Sequence, residues 1–188
     1  MPFGIGFFAT AGVTAAAGSY DLLSTTILTS SQASVTFSNL NNFAADYQHL
    51  QIRVVAQTNR STFPDDNILI RFNSDTGSNY SEHSLRGTGS SVISGANTST
   101  TGINCRGIGA TGGGGNFGAA VIDILDAFET TKYPTTRSFS GYSSQPVCLE
   151  SGSWRNTAAI TTIALTPVVG SLLTTGSRFS LYGIRRVA

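Results

Sequence analysis

The chain has 188 residues, 40% hydrophobic and 10% aromatic, with 11 Lys and Arg against 10 Asp and Glu, a net charge of +1. Length and apolar content fit one domain with a filled core and exclude wholesale disorder. The even charge balance, with no basic cluster, argues against nucleic acid, whose phosphates demand grouped cations.

Residues 1–19 carry no charge and mix Phe3, Ile5, Phe7, Phe8 and Val13 with Gly, Ala and Thr. A membrane span needs about 20 steadily apolar residues, which these glycines and hydroxyls interrupt, so no membrane insertion is expected. No Lys or Arg precedes the stretch, so it is read as retained rather than removed as a secretory signal. Ordering about 20 residues at ~1 kcal/mol each requires on the order of 800 Å² of buried apolar surface, one partner's share of a standard interface. The segment is therefore expected to be an extended N-terminal arm lying on another subunit, with the alternative that it folds over its own domain.

Residues 20–188 form the second unit. They show alternation and short apolar runs broken by Gly, Asn, Asp and Ser, the pattern of an all-β domain. Strands are expected at residues 21–28 and 33–37, and a helical turn at 43–47. A half-buried strand follows at 48–58, with Leu50, Ile52, Val54 and Ala56 on one face. Further strands are expected at 67–73, 80–85, 117–125, 137–144, 157–166 and 177–185. Residues 86–116 are rich in Gly, Ser and Thr and are expected to be a loop with one short strand near 103–108. So many short strands with long cross connections predict an antiparallel β-sandwich, jelly-roll-like in its connections. No fixed-period repeat points to a propeller or solenoid.

Catalytic patterns are sparse. Gly107-Ile-Gly109-Ala-Thr-Gly112 formally matches a dinucleotide loop, but three more glycines follow where a helix should begin, so a flexible surface loop is expected. No serine has the glycine spacing of a nucleophile elbow, and two histidines, His49 and His83, give little for a triad or a zinc site. Asn73 to Asn79 places oxygen ligands at alternate positions like a calcium loop, but lacks the closing Glu, and an Asp/Asn turn bonding its own backbone explains the same letters. Asp65, Asp66 and Asp75 are the carboxylates that a polysaccharide hydrolase would draw on. Cys105 and Cys148 have no metal-ligand spacing, and their pairing as a disulfide is left open. No cofactor is expected. Tyr80, Tyr133, Tyr142 and Trp154 are candidate surface contacts for sugar, with core packing as the alternative fate of each.

From Tyr20 to Ile184 the order HLQIRV, ILIRFNSDTGSNYSEHSLRGTG, FGAAVIDI, WRNTAAITTIALTP and SRFSLYGI resembles a family of small virion proteins of tailed bacteriophages, described as tail or tail-fibre-like structural proteins. The most specific pieces are Phe72-Asn73-x-Asp75 with Asn79-Tyr80, Trp154-x-Asn156-Thr157-Ala158-x-Ile160, and Leu181-Tyr182-Gly183-Ile184. The resemblance implies a non-enzymatic β-sandwich that assembles symmetrically, as a homotrimer, with other virion proteins on the particle's exterior. Its loops at 86–116 and 130–155 would touch a host-surface glycan. A capsid decoration protein that clamps the head shell is the alternative, and a polysaccharide-active tail enzyme the minor one.

Overall fold

The computed structural model describes residues 19–143 and 145–186, so Phe3, Ile5, Phe7, Phe8 and Val13 lie outside the described residues. The chain is all-β. Its strands are β1 (Tyr20–Ile27), β2 (Val35–Phe37), β3 (Tyr47–Thr58), β4 (Asp65–Phe72), β5 (Tyr80–Gly87), β6 (Val92–Thr100), β7 (Ile103–Ala110), β8 (Gly118–Leu125), β9 (Thr135–Tyr142), β10 (Gln145–Trp154), β11 (Ile163–Pro167) and β12 (Arg178–Arg185). Single 3-10 turns sit at Leu40–Phe43 and Thr111–Gly113.

All twelve strands join in one mixed sheet. Eight run antiparallel in the order β1-β12-β3-β8-β9-β10-β5-β6. The other four run antiparallel as β2-β11-β4-β7. The two runs meet where Gln57 and Thr58 of β3 pair in parallel with Gly109 and Ala110 of β7. Beyond that junction β7 lies against β8, β9 and β10.

The alternation expected of β3 is present: Leu50, Ile52, Val54 and Ala56 are buried, beside Ala120, Ile122 and Ile124 of β8 and Phe179 and Leu181 of β12. Opposite them, Ile68, Ile70 and Phe72 of β4 and Ile163 and Leu165 of β11 complete one core. Gly109 and Gly118 let β7 approach β8: a Cβ on Gly109 would lie 2.2 Å from the Asn116 carbonyl oxygen, and one on Gly118 2.5 Å from the Gly109 nitrogen.

Four expectations need correction. The stretch 86–116 is not mainly loop but holds β6, β7 and a 3-10 turn. β6 escaped notice because neither of its faces is covered, so selection for apolar alternation is absent; every residue from Val92 to Ser99 is exposed. The G-x-G-x-x-G string is correspondingly a surface turn only at its end: Gly107 and Gly109 are in β7, while Gly112 sits in the exposed 3-10 turn with its missing Cβ 2.4 Å from the Phe63 carbonyl oxygen. Within the expected distal loop 130–155 lies β10, hidden because its inward positions ahead of the terminal Trp154 are Cys148, Glu150 and Gly152 rather than large hydrophobes. The last of these is small by necessity, since a Cβ there would meet the Ile103 side chain at 2.6 Å. Finally, the helical turn precedes the expected 43–47 and begins at Leu40.

Candidate functional site

Two features concentrate the unusual chemistry of the molecule, one on each face of the β8-β9-β10-β5 region. On the inner face, β7 brings Arg106 between two glutamates set diagonally on neighbouring strands, Glu82 facing Gly152 and Glu150 facing Ser84. Its guanidinium donates to Glu82 at 2.6 Å and to Glu150 at 2.8 Å, and both carboxylate side chains are only 2% exposed. Asn104 donates to Glu82 from its backbone and its side chain, and Asn97 adds a further bond. Glu150 also accepts from the Arg106 backbone N–H and from the Ser138 hydroxyl.

The two acids differ in environment. Burial pushes Glu82 up, but the Asn104 and Arg106 donors outweigh it and hold this carboxyl below its ordinary value. For Glu150 burial prevails over Arg106 and Ser138, and its carboxyl is raised. Burial opposes the charge on Arg106 itself, yet the two carboxylates hold the guanidinium more firmly protonated. The group carries one positive and two negative formal charges in near-complete seclusion, the arrangement of a cross-brace between strands.

On the outer face of the same strands, two adjacent rows are apolar. One runs Val121, Phe139, Leu149, Leu85 across β8, β9, β10 and β5. The other runs Val55, Ala119, Gly141, Val147, Gly87, Val92 from β3 to β6. Phe139 is 58% exposed, Val147 54% and Leu149 52%, so this is surface and not rim. A shallow depression of about 540 Å³ lies along it, lined by Arg53, Val121, Phe139, Gly141, Tyr142 and Val147. The next row is polar, with Gln51 donating to Asp123 and Arg137 bridging to Asp123 at 3.2 Å.

The four aromatic candidates separate. Tyr80 and Trp154 are not surface contacts: they are 0% and 1% exposed and form one cluster with Phe72, ring centroids 5.8 to 6.3 Å apart. They are buried because each polar end finds an internal partner. The Trp154 indole donates to Asp75 at 2.7 Å, and the Tyr80 hydroxyl donates to the Asp75 carbonyl and accepts from the Phe72 N–H. Burial pushes the Tyr80 phenol up to about 12. Tyr133 is 51% exposed on the β8–β9 connection, and Tyr142 is half-buried, its hydroxyl enclosed and without a hydrogen-bond partner among the described residues.

Asp75 also accepts from the Gly77 backbone and from Asn79, so the 73–79 turn bonds to itself, and the Trp154 bond above all lowers its carboxyl. Asn73 at φ 50° accepts from the backbones of Thr161 and Thr162. The first two motif groups of the bacteriophage resemblance thus converge on a single knot tying the β4–β5 turn to the segment after β10. The third supplies Gly183, where a Cβ would strike the Tyr47 ring at 2.4 Å.

The Asp66 carboxylate accepts from Thr58, Asn67, Val169 and Gly170, and so pins the β11–β12 connection. Asp65 is nearly buried, and desolvation raises its carboxyl. Cys105 and Cys148 are both free and buried, not paired as a disulfide. Among the described residues no three His, Cys, Asp or Glu side chains gather as a metal group, and no helix is long and apolar enough to cross a membrane. Sequence reasoning passed over Arg106, Glu82 and Glu150 because their three strands are far apart along the chain; the period-2 placement of charged residues at inward positions was the available signal.

No family model matches the chain, and no curated protein or solved structure matches it.

Proposed function

We propose that the protein is a non-enzymatic structural subunit that works by assembling, with copies of itself and with other components of a tailed-bacteriophage virion. One observation carries the assembly part: the apolar rows across the outer face of β3, β8, β9, β10, β5 and β6. At about 4.8 Å between strands and about 7 Å between same-face residues, they cover roughly 350 Å². That lies within the range of about 300–600 Å² for the largest patch on a typical monomer, which is often functional. It falls short of the ~800 Å² per partner of a standard interface, and the uncharged arm would supply the remainder. The Arg106 brace supports the same reading, because it stiffens the strands that present the band.

The virion setting, the homotrimer and the tail rather than capsid-decoration placement rest on the motif resemblance, and the jelly-roll sandwich rests on the number of short strands and their long cross connections. The test is the mass of the purified full chain by light scattering, beside Phe139→Glu and Leu149→Glu variants with unchanged circular dichroism. The wild type is expected to exceed one chain's mass and both variants to fall toward it. A wild type that stays at one chain's mass overturns the reading.

A further inference from the structure

Strands β1-β12-β3-β7-β4-β11-β2 trace a circuit that lacks one link. Among the described residues β1 pairs only with β12 and β2 only with β11, so within that set the edges of β1 and β2 that face the break carry unpaired backbone groups. A groove of about 230 Å³ marks the break, lined by Leu23, Ser24 and Thr26 of β1, Phe37 of β2, and Phe43 and Leu181. Its floor is the core itself: Phe37 and Leu181 are buried, while Leu23 and Phe43 pack partly exposed against them. A second opening of about 300 Å³ extends from Thr26 along to Val35 and Thr36. What fits is one strand with apolar side chains at alternate positions, the mode in which a peptide adds to a sheet edge and fills pockets with every second residue.

The chain has such a segment outside the described residues. Phe3, Ile5 and Phe7 alternate with Gly4 and Gly6, and no charge occurs before Asp21. In an added strand the large side chains would share the face toward the groove, with glycines toward solvent. Residues 9–19 separate this segment from β1. That is well beyond the two to five residues of a common hairpin loop, and extended it spans up to ~36 Å, about the diameter of a small domain. The spacing suits a reach to a neighbour better than a turn back on the same sheet.

We propose that residues 3–8 of one copy add as a strand in the groove between β1 and β2 of a second copy and complete its circuit. This rests on the structural-subunit reading and names the surface that the arm grips. Each copy then donates one strand and accepts one, a head-to-tail contact of the kind that generates rings.

The test uses full-length chains. Copies carrying Phe3→Cys, Ile5→Cys or Phe7→Cys are each mixed with Ser24→Cys copies and mildly oxidised, with a Ser90→Cys copy on the distant β5–β6 turn as control. The proposal expects a shift from one-chain to two-chain mass on a non-reducing gel, for at least one arm position and not for the control. It also expects Ile5→Asp with Phe7→Asp to lower the assembled mass. Absence of cross-links from all three positions overturns it. So does a cross-link that forms only within single Ile5→Cys/Ser24→Cys chains at high dilution. If the wild type assembles and Phe139→Glu disperses it while no arm cross-link forms, the groove is wrong and the subunit reading stands. A wild type that never exceeds one chain's mass overturns both.

Discussion

Replacing Arg106 with Met isolates the energetics of the inner brace. The substitution keeps the aliphatic bulk and removes two charge-assisted bonds, at 2.6 Å to Glu82 and 2.8 Å to Glu150. Hydrogen bonds to charged groups are worth about 1.5–3 kcal/mol each, and stranding a buried charge costs about 3–5 kcal/mol. Both routes predict a loss of about 3–5 kcal/mol at neutral pH, a large share of the 5–15 kcal/mol that holds a domain together. With the guanidinium gone, burial raises the Glu150 carboxyl further, and Glu82 loses one of the donors that hold its carboxyl down. A carboxyl raised in the folded state binds protons more readily there than when unfolded, so stability falls as pH rises through its folded pKa. The deficit should therefore be largest near pH 7 and shrink toward pH 4. Urea unfolding of wild type and variant at several pH values measures it. A loss under about 1 kcal/mol at pH 7, or one that does not change between pH 4 and 8, would refute the idea that the two glutamates depend on Arg106.

Other outcomes follow from the remaining contacts. Asp75→Ala strands the Trp154 indole N–H in the interior and should cost about 1–3 kcal/mol, seen as a lower Tm by tryptophan fluorescence. Because the Asp75 carboxyl is held below its ordinary value, its contribution is present above the normal carboxylate range and lost as pH falls through the depressed one; the variant should lose less stability on acidification than the wild type. Tyr133→Ala should leave the Tm nearly unchanged while Tyr80→Ala lowers stability by about 3–5 kcal/mol, which separates the exposed ring from the buried one. Burial raises both thiols, Cys148 to about 11, so a thiol reagent at pH 8 should react with neither cysteine until urea unfolds the chain. Prompt modification of the native protein would contradict that placement.

The strands whose inward positions are large and apolar could be read directly, and β3 is the plainest case because its neighbours on both sides bury the same face. β10 could not, since ahead of Trp154 its inner face is made of Cys148, Glu150 and Gly152, residues whose interior location depends on Arg106 and Ile103 from another strand. β6 could not either, because alternation records burial and β6 has none. Tyr80 and Trp154 were open between surface and core until Asp75 was seen to satisfy both polar ends. The apolar band escaped a linear reading for a different reason: Phe139, Leu149 and Leu85 are neighbours only through strand register.

The β5–β6 hairpin has a practical corollary. β6 closes its run of the sheet with nine residues that hold no lysine, arginine, carboxylate or proline, the usual guards on such a margin. Concentrated chains are thus predisposed to zip together flank to flank and precipitate. A lysine in place of Ser94 would act as a gatekeeper, keeping stocks clear during storage.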